Sequence, residues 1–233
     1  MALPYFYIPG YTGEKQVALN EDTSRHVVQV LRMKPGERLN LTDGNGQVIH
    51  GEIAEANKKH CMVRVLETRR EDPPACKTTI AISLLKNANR FEWFLEKATE
   101  LGVTEIIPLI CERTEKEKFR FDRMNAICIS AMLQSQQCRL PLLHEPVKFE
   151  NMVLWKSENG EHFIAHCLEG EKSSLKNFQF SASSHNLICI GPEGDFTPAE
   201  IELALRNGFQ PVSLGNTRLR TETAGVVAAV LIQ

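Results

Sequence analysis

Between residues 5 and 67 the apolar positions come in short runs separated by turns, a pattern that predicts mostly β structure. Asp43-Gly44-Asn45-Gly46 is the strongest hairpin signal in the chain, and it lies between predicted strands at Arg38–Thr42 and 47–53. Residues 60–67 give a further strand. One helix interrupts this region. Ser24 is placed to cap it, it spans 25–33, and Lys34-Pro35-Gly36 stops it. On that helix Arg25, Gln29 and Arg32 share one face, with Val27, Val30 and Leu31 on the other. Arg69-Arg70-Glu71-Asp72-Pro73-Pro74 is charged and carries two prolines, so it reads as a linker.

Beyond the linker the period alternates between strand and helix. Strands are expected at 78–85, Glu105–Ile110, 162–167, 187–190 and 211–214. Helices are expected at 90–102 (closed by Gly102), 122–137, 196–207 and 223–232. Such alternation predicts an α/β domain with a mostly parallel sheet. The division is 1–72 for a small β domain and 73–233 for the α/β domain.

Composition narrows this picture. A chain of 233 residues suits two small domains, and 42% apolar residues suffice for real cores. No stretch reaches transmembrane length, and no basic region followed by an apolar run opens the chain, so a cytoplasmic protein without a membrane partner is expected. None of the seven cysteines is spaced Cys-x-x-Cys, which predicts free, mostly buried thiols rather than disulfides or zinc. His162 and His166 fall in a strand-like run, and no metal site is expected there. A net charge of −2 argues against coating nucleic acid by bulk charge but leaves room for a local basic face.

The chemistry concentrates in residues 187–233. The strand at 187–190 runs into Gly191-Pro192-Glu193-Gly194, a tight turn at the edge where open α/β sheets bind ligands. Thr197-Pro198-Ala199-Glu200 is a capping box for the next helix. A second strand ends at Leu214-Gly215 and leads through 216–220 to Thr221-Glu222-Thr223-Ala224-Gly225. Two such turns set free backbone N–H and C=O groups side by side, with Ile190, Leu214 and Leu219 as apolar walls. This is neither a dinucleotide fingerprint nor a P-loop, and Glu193 suits a cationic ligand better than a phosphate. The last helix, 224–232, is apolar all round and needs burial by its own sheet or by a second subunit.

Ile190-Gly-Pro-Glu-Gly194, Leu214-Gly215 and Leu219-Arg-Thr-Glu-Thr-Ala224 resemble the signature of the ribosomal RNA small-subunit methyltransferase E family, of the SPOUT class. The likeness continues in Ser24-Arg25-His26 with Val30-Leu31-Arg32, in Lys86 with Arg90, Trp93, Lys97 and Glu100-Leu101-Gly102-Val103, and in Glu112-Arg113. It implies a PUA-like RNA-binding β-barrel followed by a trefoil-knotted SPOUT domain, a homodimer, and methylation by S-adenosyl-L-methionine of uridine N3 in 16S rRNA of the 30S subunit (position 1498 in the usual rRNA count). Two departures stand out. Asp195 replaces a glycine, and Leu133-Gln134-Ser135 replaces Glu-Gln-Ser.

On this basis the cofactor is expected to touch Leu168, Ile190, Gly191, Pro192, Glu193, Gly194, Leu214, Gly215, Leu219, Arg220, Thr221 and Thr223. Arg220 is the candidate for charge stabilisation on the uracil oxygens and Glu222 for proton acceptance; alternatively the two pair and hold their loop. RNA contacts are expected at Arg25 and Arg32 on the small domain, and at Arg90, Gln134 and Arg139 near the active site. Trp93 and Phe94 read as packing residues. The rival readings are a different RNA target, ribose methylation, an RNA-binding assembly factor without catalysis, or a Rossmann-type oxidoreductase, which the absent G-x-G-x-x-G disfavours.

Overall fold

The computed structural model describes residues 3–155, 159–181 and 183–232. Gln233, the end of the expected pocket segment, lies outside the described residues, as do Met1 and Ala2 of the N-terminal leader reading. The chain divides into two compact units, residues 1–73 with 132–140, and residues 74–131 with 141–233.

The first unit is a five-stranded sheet of β1 (Tyr5–Tyr7), β2 (Gln16–Ala18), β3 (Arg38–Thr42), β4 (Gln47–Glu55) and β5 (Met62–Arg70), in the order β1-β3-β4-β5-β2. β1 runs parallel to β3 and the other pairs are antiparallel. Phe6, Leu39, Leu41, Ile49, Ile53 and Val63 alternate inward to form its core with Val27 and Cys61. The β3–β4 hairpin turns where Asp43 is placed to hold it: its Oδ1 accepts from the amides of Asn45 (2.8 Å) and Gln47 (3.1 Å). β5 runs further than its pattern predicts, pairing Arg69 with Val48 and Arg70 with Gln47, so the expected linker begins only after Arg70. The outer half of β5 faces water, and its charged side chains mask a strand as a linker.

The expected helix over 25–33 is replaced by two pieces. α1 (Glu21–Arg25) is capped by Asn20, whose Oδ1 accepts from Thr23 N at 2.8 Å, and a π-helical turn follows at His26–Val30. Ser24 is an interior residue rather than the cap. Its buried hydroxyl donates to Leu19 O (3.1 Å) and accepts from Cys61 N (2.8 Å). The π turn, closed by Leu31 N donating to His26 O, rotates the later side chains off the helical phase. Val27 is therefore buried while Val30 and Leu31 are 64% and 44% exposed, and Arg32 leaves the helix at φ 54°. The expected apolar face of Val27, Val30 and Leu31 does not form, while Arg25, Gln29 and Arg32 are all exposed. Ser24→Ala is expected to destabilise this unit by about 1–3 kcal/mol, because it strands a buried amide and carbonyl. Faster hydrogen exchange at the Cys61 amide checks this, and unchanged exchange would refute it.

The stretch 132–140 belongs to this first unit, although the pattern places it in the α/β domain. Thr42 Oγ1 and Gly46 N donate to Cys138 O (3.2 and 2.9 Å), and Leu140 N donates to Gly44 O at 2.8 Å. The Arg139 guanidinium donates to the carbonyls of Asn45 and Glu71. Arg139 thus clamps the hairpin, and Gln134 is exposed on the same stretch.

The second unit is an α/β layer. Its strands are β6 (Lys77–Ser83), β7 (Glu105–Ile110), β8 (Leu142–Leu143), β9 (Val147–Lys148), β10 (His162–Ala165), β11 (Ser173–Ser174), β12 (His185–Ile190) and β13 (Gln210–Ser213). They are ordered β11-β13-β10-β12-β6-β7-β8, with β9 beside β7, and every pairing is parallel. The helices are α2 (Ala88–Glu100), α3 (Phe121–Gln134), α4 (Phe149–Met152), α5 (Pro198–Arg206) and α6 (Thr221–Leu231). β6 and β12 at the centre are buried almost throughout, as strands covered on both faces are. α2 stops where Gly102 adopts φ 79°. Gly102 N donates to Thr99 O and Val103 N to Ala98 O, which close its last turn. α6 lies against α2, β6 and β12 through Gly225 and Ala228, but Val230 is 56% exposed, so the helix is not covered all round within one chain. Among the described residues no helix is long and apolar enough to cross a membrane.

Candidate functional site

A cleft of about 730 Å³ opens at the C-terminal ends of β10, β12 and β13. In the first turn, after β12, Gly191 is buried, and a Cβ there would approach Phe196 N at 3.1 Å and its ring at 3.0 Å. Glu193 is exposed, and its Oε1 accepts from Lys86 N at 3.2 Å. Arg113 donates to Gly194 O at 2.7 Å. Asp195 takes the left-handed conformation at φ 65° that a glycine would adopt freely. Its carboxylate adds what a glycine lacks: Oδ2 accepts from Cys167 N (2.7 Å) and Oδ1 from Phe196 N (2.8 Å), tying the loop after β10 to the turn after β12. α5 starts with the capping box expected at Thr197 and Glu200, and the second oxygen of the buried Glu200 accepts from Glu112 N at 2.8 Å.

The second turn runs from Leu214 and Gly215, at φ 145°, to Arg220, which precedes α6 as its N-cap. Ile190, Gly191, Pro192, Glu193, Leu214, Gly215, Leu219, Arg220 and Thr221 all line the cleft, as expected. Leu168, Gly194 and Thr223 do not. Leu168 is 40% exposed and offers its carbonyl to Lys172, Gly194 packs on Arg113, and Thr223 lines a separate recess.

The third wall is one that the sequence pattern misses. Ala165, His166, Cys167 and Lys172 line the cleft from the end of β10. Lys172 Nζ donates to the carbonyls of His166 (3.0 Å) and Leu168 (2.6 Å). Both ring nitrogens of His166 are buried without a hydrogen-bond partner among the described residues. Burial first, and then the nearby Lys172 charge, push this imidazole below its ordinary 6.5 against the opposing pull of Asp195. Because the folded value lies below the unfolded one, folding favours the neutral ring. The stability it supports is full above about pH 6.5 and is lost as the pH falls below that. The melting temperature should therefore drop more between about pH 7.5 and about pH 5.5 in the wild type than in His166→Gln. Equal drops would rule out His166 as the titrating group. The signal available in the sequence was a third strand end, Ala165-His166, of the same kind as the two recognised.

A recess of about 370 Å³ lies beside Arg220, lined by Asn89, Arg90, Trp93, Arg220, Glu222 and Thr223. Glu222 is only 7% exposed; Arg90 Nε stands 3.7 Å from its Oε1, and its buried Oε2 has no partner among the described residues. The charge partner of Glu222 is thus Arg90, not Arg220. Phe94 is fully buried as expected, but Trp93 is 43% exposed. Arg25 pairs with Glu21 at 3.0 Å and Asp22 at 3.8 Å on its own helix.

Residues 71–233 match the model of an RNA methyltransferase domain, and residues 19–66 match that of an RNA methyltransferase PUA domain. The ribosomal RNA small subunit methyltransferase E of Synechocystis sp. is 32% identical, in an alignment covering 100% of this chain and 77% of the relative. The chain belongs to the ribosomal RNA small subunit methyltransferase E family. The family member of Rickettsia conorii is 28% identical over 94% of this chain and 89% of its own. Among solved structures, a probable rRNA-methyltransferase from Porphyromonas gingivalis superposes with TM-score 0.91 at 38% identity, covering 99% and 97% of the two chains. The family member of Neisseria gonorrhoeae, solved bound to S-adenosyl methionine, gives 0.88 at 29% identity over 98% and 96%. The fold is accordingly that of the SPOUT class, with a PUA-like unit before it.

Proposed function

We propose that this protein transfers a methyl group from S-adenosyl-L-methionine to N3 of a uridine in 16S rRNA. The observation that carries the reading is the cleft itself, in which three adjacent strand ends, two of them followed by glycine turns, converge around one space. The residues fit that cofactor. Backbone groups of the turns at 190–193 and 214–219 line the space and suit an adenine edge, Ile190, Leu214 and Leu219 suit its faces, and Glu193 suits a positive centre. The unpartnered nitrogens of His166 suit a hydroxyl group. The names of the relatives in Synechocystis and Rickettsia support the RNA target.

The cofactor, when bound, supplies an electrophilic methyl group on a sulfonium. The chain's contribution is position and charge. Leu214, Gly215 and Thr221 hold the donor side, Arg220 stabilises negative charge on the uracil oxygens, and Glu222 receives the N3 proton. Arg32, on the small unit, contacts RNA phosphate, with Arg25 contributing once released from Glu21. A cytoplasmic homodimer acting on the 30S subunit completes the reading. The 56% exposure of Val230 on α6 is consistent with a subunit contact. The path of the chain supports a knotted C-terminus: β13 leaves the sheet beside β10, yet α6 returns over β6 and β12. The test is methyl transfer from labelled cofactor to free 16S rRNA and to 30S particles lacking the modification, with the nucleoside identified. A methylated ribose, or no product alongside intact cofactor binding, would reject it.

A further inference from the structure

We propose that the recess formed by Asn89, Arg90, Trp93, Arg220, Glu222 and Thr223 is the seat of the target base, and that it selects uracil by its hydrogen-bonding edge. The inference rests on the proposed methyl transfer and adds to it the place and the recognition of the base.

Four observations converge there. The recess shares Arg220 with the large cleft, so a base in it lies next to the donor site. Its volume of about 370 Å³ leaves room for one unstacked ring with part of its sugar. Trp93 presents a large aromatic surface at 43% exposure on an otherwise well-packed helix, whose neighbours Phe91, Phe94 and Leu95 are all buried. Exposed aromatic side chains are the platforms on which proteins stack single bases. Finally, Glu222 keeps one buried carboxylate oxygen without a partner, while its contact with Arg90 is long at 3.7 Å. A loosely held ion pair of this kind accommodates an inserted donor, with the half-exposed Arg90 moving aside.

The groups present then match the base. The pairing edge of uracil is acceptor, donor, acceptor: O2, N3–H, O4. The recess offers a guanidinium, a carboxylate and a second guanidinium in Arg90, Glu222 and Arg220. Cytosine presents an acceptor at N3 and an amino donor beside it, which would face Glu222 and an arginine with the wrong sign. In the reaction the N3–H bond breaks and its proton passes to a Glu222 oxygen. The electron pair left on N3 forms the new N–CH3 bond as the S–CH3 bond breaks with its electrons remaining on sulfur. No further reactant is needed.

The chain has two tryptophans, Trp93 and Trp155, so Trp155→Phe leaves Trp93 as a single fluorescent reporter. The probe is a short RNA hairpin with one unpaired loop uridine, compared with the same hairpin carrying cytidine or an abasic residue there. Uridine should quench Trp93 at a concentration at least about tenfold below that needed with cytidine, and the abasic hairpin should leave it unquenched. In steady-state methylation of 30S particles, Trp93→Ala should raise the RNA KM by between about fivefold and a hundredfold. Cofactor affinity should stay unchanged, and Trp93→Phe should restore most of the loss. The proposal is overturned if the three hairpins quench alike, if Trp93 emission follows protein concentration rather than RNA, or if Trp93→Ala leaves KM unaltered. Uridine-selective quenching without methyl transfer would instead refute the activity and leave the recess standing.

Discussion

Arg220→Ala should lower kcat for methyl transfer by about 10²–10³-fold, the usual cost of removing one preorganised charge stabiliser. Cofactor affinity should change only a few fold. The reason for the split lies in the position of the residue. Arg220 is the N-cap of α6, and its backbone conformation there, φ −71° and ψ 154°, is one alanine adopts equally well. The second turn therefore keeps its course when the side chain is removed. What disappears is a guanidinium lying between the cleft and the recess, where negative charge would develop on the uracil oxygens. Arg220→Lys should recover part of the rate, because it keeps the charge but loses the planar fork of donors. Rapid-quench turnover together with calorimetric cofactor binding measures both halves. A wild-type kcat in Arg220→Ala removes this residue from the mechanism, and an equal collapse of both quantities makes it a structural cap.

The largest effect on stability is expected at Gly225. A Cβ on this residue would lie 2.6 Å from Cε2 of Phe94 and 2.8 Å from Cδ1 of Ile82, both fully buried. Glycine within a helix ordinarily forfeits up to about 1 kcal/mol against alanine. Here the close approach of α6 to α2 and β6 depends on it. Gly225→Val inserts three carbon atoms where not even one fits. Overpacking of that size should destabilise the second unit by about 3 kcal/mol. For a unit of this size that lowers the melting temperature by about 6–12 °C. Both tryptophans lie in this unit, so their fluorescence follows its melting specifically. A shift under about 2 °C would show that α6 can back away from α2 at little cost.

The parts of the fold that sequence displayed were those set by local chemistry. Thr197 and Glu200 form their capping box because both partners sit within one turn. Gly102 ends α2, and Asp43 with Gly44 and Gly46 turns the hairpin, because each conformation is decided within a few residues. What sequence concealed depends on distant partners. Ser24 resembles a cap until the amide of Cys61, 37 residues away, takes its hydroxyl. The π turn at His26–Val30 adds one residue to a helical repeat, and no periodicity read at 3.6 anticipates the change in which side chains face inward. Trp93 fits an amphipathic helix as a packing residue; its exposure follows from which side α6 covers. In the candidate site the glycine turns were visible because they need glycine. The wall carrying His166 and Lys172 was not, because ordinary residues build it.

The return of residues 132–140 to the first unit bears on how the protein is made. The carbonyls of Gly44 and Asn45 accept from Leu140 and Arg139, and the amide of Gly46 donates to Cys138, almost a hundred residues downstream. A ribosome that has released the first 73 residues has delivered every strand of that sheet but not its clasp. The emerging sheet must wait for β6, α2, β7 and all of α3 to be synthesised before its hairpin is closed. The two units, although each has its own core, therefore cannot mature strictly one after the other.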